Sequence, residues 1–266
     1  MTRAAIAAIL LACGTAQAAG PARIKFGMQD DIAPFVMPDR HSGLLVDVLR
    51  EAMSTQGVTA EFAYVPANRT EDALRSGWVD VSTSAKPTMA LPGVISRWPV
   101  TRFHNMAITL RSRVPKMESV SDLGRYRVTA FRGAKRLLGD AYKGAVQANP
   151  NYQEPLTLQS PLLILGQVDV VISQRDIFHY YLSRQSFLRG GDYEVIYHDV
   201  LGPPNEYWFV FRNGEQRDAF ERGLAAIYKS GAIEKLFDSY HKRYGTSREF
   251  FLPLDCQFLP VKPKGC

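Results

Sequence analysis

The sequence is poor in cysteine, with three in 266 residues. Beyond its N-terminus it contains no apolar run near the roughly 18 residues that a membrane-crossing helix needs. It also lacks the short patterns that mark common chemistries. There is no Gly-x-Ser-x-Gly nucleophile elbow, no phosphate-cradling loop ending in Gly-Lys-Ser/Thr, no Gly-x-Gly-x-x-Gly turn and no His-Glu-x-x-His pair. The histidines (His41, His104, His179, His198 and His241) lie far apart and show no metal-ligand spacing. Nothing here supports an elbow hydrolase, a nucleotide enzyme or a metalloenzyme. Neither a cofactor nor a metal is expected.

What is present begins with Arg3, an apolar stretch over residues 4–11 and then Ala16-Gln17-Ala18. A cation, a short apolar segment and a small-x-small triplet are the parts of a secretory signal peptide. Cleavage after Ala18 is expected, with lipidation at Cys13 as the alternative. Either route leaves Cys256 and Cys266 in an oxidising compartment, where a disulfide between them would tie down the Pro- and Gly-bearing tail. The formal net charge is +6, and nine basic residues fall between Arg111 and Lys143. That stretch reads as a solvated basic face, and it carries no nucleic-acid-binding motif.

The remaining chain alternates between two periods. Residues 24–28, 60–65 and 79–84 read as strands; residues 44–53 place Leu44, Leu45, Val48, Leu49 and Ala52 at helical spacing. A short helix over 70–75 carries Glu71 and Asp72 in its first turn, where the helix dipole favours acids. This βαβαβ order predicts a mainly parallel sheet with helices on both faces. A second series follows: a capped turn at 119–123, strands at 126–131, 168–173 and 193–198, and helices at 134–146, 156–165 and 176–182. Residues 106–110 and 207–211 read as two strands connecting the lobes. Two amphipathic helices close the chain on either side of Gly231. The expected organisation is a leader over 1–18, the first lobe over 19–110, the second over 111–205, and a return strand, C-terminal helices and bridged tail over 206–266.

Ligands of open parallel sheets gather at the carboxyl ends of the strands. That rule nominates three loops: 29–35, 82–88 and 132–136.

The order "IKFGMQDDIAPFVMPD", "GLLVDVLREA", "VPANRTEDALRSGWVDV", "DLGRYRVTAFRGA", "LGQVDVVISQRDIFHYYL" and "FERGLAAIYKSGAIEKLFDSYHKRYG" resembles the extracellular solute-binding proteins of family 3, from about Ile24 to Gly245. The resemblance implies an α/β, two-lobe type II periplasmic-binding fold, with two hinge strands and a ligand between the lobes. It also implies a small-molecule ligand, a periplasmic location, an ABC-importer permease as membrane partner and no catalysis. A monomer is expected, with no nucleic acid bound. The family's aromatic platform falls on Ile32 or, better, on Phe35, which is either a platform or a core residue. Its serine falls on Ser84, while the position of its carboxylate-gripping arginine falls on Met89 or Pro92. The nearest cation is Lys86. The "GTT" turn becomes Gly133-Ala134-Lys135, and the acid that pairs with an α-ammonium falls on Gln174. With both charged halves of an amino-acid clamp missing, Arg69, Lys86, Arg132 and Lys135 point to an organic anion. A cyclohexadienyl-dehydratase-like enzyme and a periplasmic sensor module are the alternatives on the same scaffold.

Overall fold

A computed structural model describes residues 22–30, 32–66, 69–155, 160–185 and 193–251. Cys13, Cys256, Cys266 and the leader lie outside the described residues, and so do Asp31, Asn68 and the start of the helix expected at 156–165.

The first βαβαβ series forms as its periodicity predicts. Strand β1 (Arg23–Gln29), helix α1 (Leu44–Ser54), β2 (Thr59–Val65), α2 (Thr70–Arg75) and β3 (Val81–Ala85) follow one another, and β1 pairs in parallel with both β2 and β3. The short strands β4 (Val94–Ile95) and β5 (Thr101–Phe103) come next. Helix α1 buries Leu44, Leu45, Val48, Leu49 and Ala52 on one face. Each such leucine contributes about 1.5–3 kcal/mol relative to exposure.

The second lobe begins earlier than the sequence suggests. Strand β6 (Asn105–Leu110) is an inner strand of the second sheet, whose order is β10-β6-β9-β7-β8. The chain therefore leaves the first lobe at His104, and residues 106–110 are sheet core rather than a connection. Its other members are β7 (Val128–Ala130), β8 (Tyr152–Gln153), β9 (Val170–Gln174) and β10 (Val195–His198). A 3-10 turn over Val120–Arg125 precedes β7, started by a Ser119–Asp122 capping box. The helix expected over 134–146 is two helices, α3 (Ala134–Leu137) and α4 (Gly139–Gln147), because Gly139 has a φ of 84° that no helix interior accommodates. Helices α5 (Ser160–Ile164) and α6 (Arg175–Ser183) flank β9.

Strand β11 (Asn205–Phe211) returns to the first sheet, antiparallel to β3, which gives the order β2-β1-β3-β11-β4 with β5 paired to β11. Helices α7 (Gly214–Lys229) and α8 (Ala232–Tyr244) then pack on α1. Apolar clusters lie on both faces of each sheet, the arrangement expected of helix-covered mixed sheets. Helix α6 belongs to both lobes. Its Phe178 and Leu182 join the core of the second sheet, whereas Tyr180 joins that of the first and meets the Tyr244 ring edge-on at 5.4 Å. Among the described residues no helix is long and apolar enough to cross a membrane.

Candidate functional site

The carboxyl ends of β1 and β3 open on one edge of the first sheet. Because β11 runs antiparallel beside β3, its first residues reach the same edge, where Asn205 pairs with Phe103 of β5. The side chains there enclose a narrow recess lined by Gln29, Ile32, Leu45, Thr83, Ser84, Thr101, Phe103, Tyr207 and Phe250. The Ser84 hydroxyl lies 2.8 Å from the Thr70 hydroxyl, and a hydroxyl can serve as donor and acceptor at once. Lys86, the residue after β3, donates from Nζ to Asn205 Oδ1 at 3.2 Å and stands 5.8 Å from the Tyr207 ring centroid. Burial pushes the Tyr207 hydroxyl above its ordinary value, and the nearby Arg136 charge, from the second lobe, pulls it back. Lys86 thus stands beside the start of the returning strand.

Phe35 has no solvent exposure. The ring of Phe250 lies flat on it, with centroids 3.8 Å apart and planes 8° from parallel, and Phe103 stands edge-on to both. Stacked and edge-to-face contacts of this kind add to plain burial. The face that the family resemblance assigns to a ligand is therefore covered by the chain's own ring. Phe250 is the middle residue of a 3-10 turn over Glu249–Phe251, which follows the last long helix.

In the second lobe the turn after β7 carries Gly133 with a φ of 84°, a left-handed conformation that suits glycine. The Gly133 and Lys135 amides point at the Glu154 carboxylate, donating at 2.7 Å and 3.1 Å, and the Tyr152 hydroxyl donates to it at 2.6 Å. Burial would raise the Glu154 carboxyl, but these three donors and the Lys135 charge outweigh it and hold the group below its ordinary range. The Lys135 ammonium sits 4.6 Å from the Tyr152 ring centroid. The amide donors expected to meet an anionic ligand are thus already satisfied, which removes Gly133 and the Lys135 backbone from the open part of the site.

Gln174 is buried and does local work. Its side-chain oxygen caps α6 by accepting from the Ile177 amide at 2.9 Å, and its amide donates to Asp176 Oδ2 at 3.3 Å. The acid missing from position 174 stands two residues later. Asp176 is 2% exposed, and it is held by Ser247, whose amide and hydroxyl donate to Oδ2 at 3.1 Å and 2.7 Å.

Of the residues singled out in the sequence, Ser84 and Lys86 reach the same edge, and Phe35 lies beneath it. Arg69, at the N-cap of α2, and Arg132, after β7, are exposed. Sequence reasoning missed Glu154, Asp176, Tyr207 and Phe250. For Asp176 alone there was a signal, an acid at the start of a helix following a buried strand. Among the described residues no three His, Cys, Asp or Glu side chains gather closely enough to hold a metal ion.

The family pattern of the bacterial extracellular solute-binding proteins, family 3, matches residues 24–243. No curated protein matches the chain. Among solved structures it is similar to an amino acid ABC transporter substrate-binding protein from Streptococcus pneumoniae bound to L-arginine, at 18% identity and a TM-score of 0.62, covering 85% of this chain and 97% of that one. A histidine kinase sensor domain with similarity to periplasmic binding proteins is 20% identical with a TM-score of 0.64, covering 82% and 95%. An ancestral amino-acid-binding protein, a precursor of cyclohexadienyl dehydratase, is 17% identical with a TM-score of 0.59, covering 82% and 95%. At these identities the likeness is one of fold.

Proposed function

The chain belongs to family 3 of the bacterial extracellular solute-binding proteins, and on that premise we propose that it is a periplasmic, monomeric, non-catalytic receptor. Its two lobes close on a small organic anion for delivery to the permease of an ABC importer. The observation that carries the anion is Lys86 at the end of β3, whose ammonium reaches Asn205 Oδ1 at 3.2 Å and stands 5.8 Å from the Tyr207 ring centroid. Arg69 and Arg132 supply further positive charge. With the Gly133 and Lys135 amides engaged by Glu154, a ligand's oxygens turn to these side chains, and a guanidinium binds a carboxylate through two parallel hydrogen bonds. Contacts from both lobes favour the closed hinge state, which couples affinity to shape.

An α-amino acid like the L-arginine bound by the Streptococcus pneumoniae protein fits less well. By the family resemblance, Met89 or Pro92 falls where its carboxylate would meet an arginine and Gln174 where its ammonium would meet an acid; the nearest acid, Asp176, is buried with its Oδ2 engaged by Ser247. The dehydratase reading needs an acid or base open to the cleft, whereas Asp176 is 2% exposed, with Oδ2 accepting from Ser247 and Oδ1 buried.

Thermal-shift measurements against organic acids, amino acids, polyamines and sugars test the proposal. A ligand at 100-fold excess over its Kd adds ~2.7 kcal/mol of stability. Organic acids are expected to raise the midpoint, and the rise should vanish in Lys86→Met and in Arg69→Ala. Shifts by amino acids alone, or equal shifts in both variants, refute the anion; turnover of prephenate refutes a non-catalytic receptor.

A further inference from the structure

Residues 245–251 are not needed to complete either sheet, yet they touch both lobes. Ser247 donates twice to Asp176 on α6, at 3.1 Å and 2.7 Å. The Glu249 carbonyl accepts from Arg102 Nε on β5 at 2.8 Å. Phe251 is anchored in the first lobe near Phe237, at 5.8 Å. Between these fixed points Phe250 lays its ring flat on Phe35, and it also lines the recess that Ser84, Thr83 and Gln29 line.

A ring buried in ordinary core is surrounded by apolar atoms. Here Phe250 stacks on Phe35, meets Phe103 edge-on and also borders the recess that Gln29, Thr83 and Ser84 line. Apolar walls with a few polar groups are the form of a small-molecule site. We propose that Phe250 is a built-in occupant of an aryl-binding slot, that residues 245–251 form a strap holding it there, and that the solute received is a small compound with an aromatic ring, which takes the place of Phe250 on Phe35. The inference rests on the receptor reading above and names the ligand class for it. Releasing Phe250 pulls on Ser247, and through it on Asp176, so ring exchange in the first lobe loosens a tether on the second. Because Phe250 competes for the same face, the intact chain binds aryl solutes more weakly than a chain without that ring.

The test uses the full chain with Phe250→Ala and Ser247→Ala, and with phenylacetate, toluene and succinate as probes. Phenylacetate is expected to raise the unfolding midpoint of Phe250→Ala by about 5 °C at saturation and that of the unaltered chain by much less. Toluene, a ring without a polar end, should do less than phenylacetate. If Phe250→Ala does not fold, Ser247→Ala, which keeps the ring and only loosens its tether, should bind phenylacetate about tenfold more tightly than the unaltered chain. No gain in either variant overturns the inference, and so does toluene matching phenylacetate, since that describes a sealed core cavity. Succinate separates the two readings. If it binds the unaltered chain through Lys86 while phenylacetate gains nothing in the variants, the anion receptor stands and the aryl slot falls.

Discussion

The first lobe covers Phe35 with a ring, and the second covers a pair of amides with a carboxylate. Phe250 covers Phe35 by stacking at 3.8 Å, and Glu154 covers the Gly133 and Lys135 amides by accepting from both. The two fillings obey different physics. An apolar ring is held by dispersion and by the exclusion of water, which respond to volume and shape. A carboxylate is held by charge-assisted hydrogen bonds, which respond to pH. The lobes should therefore fail under different perturbations.

The largest difference is expected from one substitution made in each lobe. Gly223, on α7 in the first lobe, lies so near α1 that an added Cβ would stand 2.2 Å from the Ala52 carbonyl oxygen, whereas Gly144, on α4 in the second, has open space. Gly223→Ala should cost about 3 kcal/mol or more, because two packed helices must separate. Urea denaturation measures it; an unchanged midpoint would mean that α1 and α7 are not in close contact.

Next in size is Glu154→Gln, which should cost about 1–3 kcal/mol by leaving amide donors poorly satisfied. The sign of its pH dependence follows from the lowered carboxyl. A group held below its unfolded value stabilises the fold above that value, near pH ~4.3, and loses the contribution as pH falls through its lower folded value. The gap between the unaltered chain and the variant should be flat from about pH 7 to about pH 5 and should shrink below about pH 4. A gap that grows on acidification would place Glu154 elsewhere.

The counterpart Gly144→Ala should stabilise the second lobe by about 0.5–1 kcal/mol, because it removes backbone freedom from the unfolded chain without a clash. A destabilised variant would show crowding on α4. Smallest of all, Arg69→Ala should leave stability within about 0.5 kcal/mol, since its head is exposed. A larger loss would assign Arg69 to the fold rather than to the cleft.

Much of the architecture could be read from local pattern. The apolar face of α1, the acidic first turn of α2 and the two closing helices on either side of Gly231 came from spacing alone, because a helix or strand that buries one face must repeat its apolar residues at a set period. Assignments that depend on partners were less legible. Strand β6 looked like a connector because nothing in residues 105–110 says that β9 and β10 will pair on either side of it. Phe250 sits beside Phe251 in a stretch that reads as a tail, and Glu154 follows a strand of two residues, too short to leave a period.

The amino-acid order alone determined the alternation of strands and helices, the βαβαβ first lobe and the loops at which the strands end, because these rest on contacts within a turn or two of chain. Only the tertiary structure decided what covers Phe35 and what holds Asp176. Ser247 meets Asp176 across 71 residues, and Phe250 meets Phe35 across most of the described chain, so neither partner leaves a trace near the other in sequence. Burial and hydrogen-bond satisfaction are settled between surfaces that only the completed fold brings together.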